Sequence, residues 1–177
     1  MIVGIRKTIL PLLIIALSLL PAACGYQLAG RGTFLPKYIK KIGIPMFENH
    51  TARLDLEMKI TEKIQEEFIA RGNYQIVSSE EEVDALLKGE ILSYSLIPRS
   101  ADEEGRATSY SVVIRARVYF KDLVQDQIIW ESPNFAFRED FQISENIQDY
   151  YDQEIEAINL SVESFARSIV STILEGF

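Results

Sequence analysis

Two hydrophobic periods alternate along the chain. In "YSVVIRARVYFK", Tyr110, Val112, Ile114, Ala116, Val118 and Phe120 fall on one parity. Arg115, Arg117, Tyr119 and Lys121 fall on the other, the two-residue period of a strand with one dry side. A second strand is predicted from about Ala85 to Ile97, and there both parities are apolar. Leu87 and Ile91 lie on one, Leu92, Tyr94 and Leu96 on the other. A strand with two apolar faces is either buried on both sides or offers one face to a partner. Leu92, Tyr94 and Leu96 are therefore candidate partner-facing residues. Between these two strands, "RSADEEGRATS" reads as a charged hairpin loop around Gly105. Shorter strands are expected at "YIKKIGI", which Pro45 confines to an edge or a terminus, and at "YQIVSS". Around Pro133, Phe135, Phe137, Phe141 and Ile143 keep in step, so that Pro133 either bends one strand or separates two.

Two segments carry the longer period. In "TARLDLEMKITEKIQEEFIARGN", Thr51 is the expected N-cap and Gly72 the stop. Leu54, Met58, Ile60, Thr61, Ile64 and Phe68 form a helical stripe, and Asp55 and Lys59 make an i,i+4 pair on the wet side. From about Tyr151 to Glu175, Ile155, Ile158, Val162, Phe165, Ala166, Ile169 and Ile173 repeat at helical spacing until Gly176. The order strand, helix, strands, helix predicts an α+β fold, a two-layer sandwich of two helices packed on one face of a mostly antiparallel sheet.

The N-terminus follows neither period. Arg6 and Lys7 precede an apolar run of twelve residues, Ile9 to Leu20, too short for a membrane span and suited to a secretory signal. Small residues Ala22 and Ala23 lead to Cys24, the single cysteine. The segment resembles a bacterial lipoprotein signal, which makes Cys24 the expected lipid attachment site, although Pro21 departs from the usual branched apolar residue. The expected organisation is a signal peptide at 1–23, a lipidated tether at 24–37 and a single α+β domain at 38–177. Gly25, where an aspartate would signal retention in the inner membrane of enteric bacteria, favours the outer membrane.

Loss of Arg6 and Lys7 with the signal takes the net charge from −8 to −10, which disfavours nucleic acid as a partner. His50 is the only histidine, so Ser-His-Asp and Cys-His catalysis and an ordinary zinc site lack support, and no cofactor is implied. The acidic runs "SSEEEVD" and "ADEEG" are contiguous and loop-like, unlike the paired carboxylates of a hydrolase. The basic stripe Arg115, Arg117 and Lys121, with Arg99 and Arg106 near the adjoining loop, is a candidate phosphate site. Its alternative is charge that protects an open strand or pairs with neighbouring acids.

Taken in order, "CGYQL", "IGIPMFENHT", "ARGNYQIV", "VDALLKGEI" and "IIWES" resemble the LptE family of lipopolysaccharide-assembly lipoproteins over nearly all of the mature chain. The resemblance implies a non-enzymatic outer-membrane lipoprotein, lipid-anchored and facing the periplasm. It implies a partner, an LptD-type β-barrel that the lipoprotein plugs and helps to assemble. It also implies binding of lipopolysaccharide for insertion into the outer leaflet. Under it, Arg115, Arg117, Lys121, Arg99 and Arg106 would meet lipid A phosphates, and Leu92, Tyr94 and Leu96 would face the barrel. The rival reading is an outer-membrane-tethered scaffold without a lipopolysaccharide role.

Overall fold

The computed structural model describes residues 34–142 and 150–176. The signal segment, Cys24, most of the tether and Ile143 lie outside the described residues. In chain order the elements are β1 (Lys41–Gly43), β2 (Glu48–Asn49), α1 (Leu56–Arg71), β3 (Gln75–Val77), β4 (Ala85–Ala101), β5 (Ala107–Asp122), β6 (Gln127–Gln142) and α2 (Tyr150–Glu175). One sheet orders the strands β3-β1-β4-β5-β6, and β2 also pairs with β4. α1 carries the chain back between β1 and β3, which pair in parallel, and β1 and β2 also run parallel to β4. The long strands β4, β5 and β6 form an antiparallel meander. The result is the expected α+β arrangement, two helices on one side of an open, mixed sheet.

The core lies between the helices and the inner face of β5. Val112, Ile114, Ala116, Val118 and Phe120 are buried there, as the alternation predicts. Phe68 of α1 stacks on Phe120 with ring centroids 6.3 Å apart. Phe165 of α2 meets Phe135 and Phe137 of β6 edge-on at 5.8 and 5.9 Å.

The double-faced reading of β4 is corrected by a bulge. Ile91 pairs with Ala116 and Ser93 with Arg115, which leaves Leu92 as an inserted residue. One extra residue moves every later side chain to the other face. Leu87 and Ile91 point to the core before the bulge, and Tyr94 and Leu96, opposite Ile114 and Val112, do so after it. Burial pushes the Tyr94 phenol up to about 12. The strand has one apolar face with a step in it, so Tyr94 and Leu96 belong to the interior layer and only Leu92 sits at the step.

Other expectations divide similarly. β1 lies between β3 and β4 and is not an edge, while Pro45 stands just past its end. β6 is one bent strand: a register shift between Ala116↔Phe135 and Val118↔Ser132 takes up Pro133. The strand is at the sheet edge, where proline is tolerated. Helix α1 begins at Leu56, not after Thr51. Asn49 captures that segment in an Asx turn, its Oδ1 accepting the Thr51 N–H at 2.9 Å and its Nδ2 donating to the Arg53 carbonyl at 2.7 Å. Leu56 consequently takes the core position, and Leu54, 83% exposed, leaves the predicted stripe together with Met58. Lys59 donates to Asn159 of α2 at 2.8 Å in place of the Asp55 pairing. α2 keeps its stripe, and Gly176 ends it with a left-handed φ of 65°.

Gly89 of β4 marks a close approach. A Cβ there would lie 2.1 Å from a ring carbon of Phe47, itself buried. Gly89→Ala is expected to destabilise the domain by about 1–3 kcal/mol, the range for overpacking. The urea midpoint reads this loss, and Phe47→Leu in the same chain is expected to recover part of it. Asp84 joins β1 to β4 by accepting the N–H groups of Lys41 at 2.8 Å and Lys40 at 2.9 Å, which hold its pKa below the ordinary aspartate value. Stability from such a group is present above the ordinary value and lost as pH falls through the lowered one. Urea unfolding of wild type and Asp84→Asn is expected to differ most near neutral pH and to converge in acid.

Candidate functional site: the outer face of the sheet

Because strand side chains alternate, the register that buries Phe120, Val118 and Ala116 sends Lys121, Arg117 and Arg115 to the face opposite the helices. Arg115 and Arg117 are both exposed there. The stripe is not a uniform cationic strip. Glu90 lies directly across from Arg117 on β4 and accepts from its Nη1 at 2.6 Å. Lys121 Nζ lies 2.5 Å from Asp126, whose pKa is lowered by that contact.

The other cations are placed differently again. Arg106 stands in the turn around Gly105 as expected, where it contacts Asp102 at 2.7 Å and Glu104 at 3.2 Å. Arg99, at the far end of β4, is exposed and takes part in no ion pair among the described residues. Arg115 is likewise without a carboxylate among the described residues, its Nη1 reaching only Asn134 Oδ1 at 3.5 Å.

A guanidinium that the charge pattern did not single out lies next to Arg115. Arg138 of β6 is opposite Val113, and Ala136 is opposite Arg115, so Arg115 and Arg138 are diagonal neighbours on the outer face, about 7–8 Å apart at their backbones. Arg138 is exposed and takes part in no ion pair among the described residues. The signal was present in "FAFRE", where Arg138 has the parity opposite Phe135 and Phe137.

One concavity lies on this face and another on the helical side of the domain. A pocket of about 190 Å³ on the outer face is lined by Glu48, Glu80, Glu90, Lys88 and Arg117. Lys88 is 2.5 Å from Glu80, and His50 Nε2 lies 3.7 Å from both Glu48 and Glu90. Lys88 and Arg117 are thus each paired with an acid, and His50 follows β2 at the surface, its backbone N–H donating to the Ile91 carbonyl at 3.0 Å. A groove of about 850 Å³ runs between α1 and α2, with Met58, Ile155, Leu160 and Val162 in its walls. Among the described residues no His, Cys, Asp and Glu cluster could hold a metal ion. No described helix is long and apolar enough to cross a membrane.

The fold and site define a class: a small helix-on-sheet domain whose outer sheet face is charged and left uncovered by the described helices. Over residues 39–173 the chain matches the model of LptE, a lipopolysaccharide-assembly family, and it belongs to that family. No curated protein gives a sequence match. Among solved structures, the hypothetical protein CT253 from Chlamydia trachomatis aligns at 10% identity and TM-score 0.51, covering 76% of this chain and 95% of its own. The PelC dodecamer from Paraburkholderia phytofirmans aligns at 11% identity and TM-score 0.51, covering 81% and 95%. The rare lipoprotein B from Shewanella oneidensis aligns at 15% identity and TM-score 0.42, covering 76% and 90%. The first two likenesses show a shared fold.

The Arg117–Glu90 pair is half exposed, with side-chain exposures of 52% and 31%. A double-mutant cycle of Arg117→Ala and Glu90→Ala, read by urea unfolding, is expected to give a coupling below about 1 kcal/mol. Substitutions on this face can then be tested for binding without loss of the fold.

Proposed function

We propose that the chain is an outer-membrane lipoprotein, anchored through a lipid on Cys24, that plugs and assists an LptD-type β-barrel and holds lipopolysaccharide on its way to the outer leaflet. Membership of the lipopolysaccharide-assembly family supports the reading. The observation that carries its chemistry is the Arg115–Arg138 neighbourhood, two exposed guanidiniums without carboxylate partners among the described residues, on a face that no described helix covers. A guanidinium presents a planar fork of donors to phosphate oxygens, and two of them side by side suit the phosphorylated head of lipid A. Arg117, Lys121 and Arg106 can join only by exchanging an acid for the ligand. They therefore serve as secondary contacts, with Arg99 further along β4. No bond is made or broken in this role.

The test is a mild-detergent purification of the tagged, lipidated chain. A stoichiometric, heat-modifiable barrel and co-purifying lipopolysaccharide are expected with wild type. With Arg115→Glu and Arg138→Glu together, the barrel should remain and lipopolysaccharide should fall at least about tenfold, since a charged hydrogen bond is worth about 1.5–3 kcal/mol. Unchanged lipopolysaccharide would reject the site, and absence of a barrel would favour the tethered scaffold.

A further inference from the structure

The end of the domain where the described chain begins exposes several large apolar side chains. Phe34 is 62% exposed and packs on Gly176 at the end of α2, its N–H donating to the Leu174 carbonyl at 2.8 Å. Four residues on, exposed Tyr38 bonds through its hydroxyl to Asp122 at the end of β5. Beside it, Val124 in the β5–β6 turn is 61% exposed and Ile128 at the start of β6 is 53% exposed. Two aromatic and two aliphatic side chains thus project from one pole of the domain.

Lysines accompany them. Lys37 and Lys40 are exposed and take part in no ion pair among the described residues. The nearby acids are already engaged. Asp84 holds the Lys40 and Lys41 N–H groups, Asp122 accepts from Tyr38 and from the N–H groups of Val124 and Gln125, and Asp126 lies against Lys121. On a chain whose net charge is −10 once the signal is lost, this pole sets two lysines outside any described ion pair beside aromatic rings and hydrogen-bonded acids. That is the composition of a surface seated among lipid headgroups.

Chain length points to the same occupant. Phe34 follows Cys24 by ten residues, which fully extended reach no more than about 35 Å. An anchor at Cys24 keeps this pole close to the bilayer that holds it. The opposite pole, with the turn at Asp102–Arg106, lies at the far end of the seventeen-residue strand β4, roughly 55 Å away along the strand.

We infer that Phe34, Tyr38, Val124 and Ile128, with Lys37 and Lys40, form a docking surface that seats the domain on the headgroups of the membrane carrying its anchor. The inference rests on the lipid-anchor part of the function proposed above. Docking fixes which end of the domain faces the bilayer.

Cysteines introduced by Val124→Cys, Ile128→Cys and, as the distant control, Glu103→Cys would carry a spin label on the full lipidated chain. The chain is reconstituted without a barrel into vesicles of phosphatidylethanolamine with a minor share of phosphatidylglycerol. Labels at Val124 and Ile128 are expected to be several-fold less accessible to a water-soluble nickel chelate than the label at Glu103, and more accessible to oxygen. Lys37→Glu with Lys40→Glu should move the Val124 label toward the control. Equal nickel accessibility at all three sites, on a chain that floats with the vesicles, would overturn docking and leave the anchor standing. Protection that arises only when the barrel is added would assign the pole to that protein and overturn docking as well. A chain that takes two labels, or does not float, would show an unmodified Cys24 and remove the anchor together with the docking.

Discussion

Alternating side chains along β5, from Tyr110 to Phe120, form the floor on which both helices rest, and β5 is paired on both flanks along nearly its whole length. The strand period of two ties the core to the candidate site. A register that buries Ala116 and Val118 must present Arg115 and Arg117 outside, and a slip by one residue would bury the arginines and expose Ile114, Val118 and Phe120. Burial of an unpaired guanidinium costs far more than any exposed contact returns. The outer charges are therefore part of what fixes the register.

The second layer follows from the first. α1 and α2 cover adjacent parts of one floor, with Phe68 over Phe120 and Phe165 over Phe135 and Phe137. Polar contacts hold α2 at both ends, Glu154 by Arg53 of the turn before α1 at 2.7 Å and Glu175 by Arg71 of α1 at 2.9 Å. Pairs exposed to this degree add little free energy. They align two helices whose packing is set by apolar area. Leu35, almost fully buried, and the Phe34 N–H on the Leu174 carbonyl then close the lower end of the layer.

Where the hydrophobic period was unbroken, the sequence alone was sufficient. β5 and α2 were legible in outline because each buries one continuous stripe. The start of α1 was not, because Thr51 and Asp55 are both acceptable before a helix. The choice between them depended on Asn49 folding the intervening chain into a turn. The step at Leu92 was hidden for a different reason. An inserted apolar residue in an apolar strand reads as a second hydrophobic face, and only pairing with β5 distinguishes the two. The site was half legible on the same terms. Parity placed Arg115 and Arg117 on one face, but which cations keep their charge free depends on the acids across the strand, Glu90 above all. Arg138 became a neighbour of Arg115 only through the register of β6.

Position along β5 also bears on what the arginines can reach. Arg115 is seven residues from Asp122, the end of the strand beside the lysine-bearing pole, which is roughly 23 Å along an extended chain. That exceeds a Debye length of about 8 Å at physiological ionic strength, so the headgroup field of a bilayer against the pole is largely screened at Arg115. The acidic charge of the whole chain likewise gives no long-range pull on anions. A phosphate bound there is selected by contact, through two adjacent guanidinium forks, and not by steering. With the pole on the membrane, a lipid head reaching Arg115 must already have left the plane of that bilayer. This suits a carrier surface for lipid in transit and not a second membrane anchor.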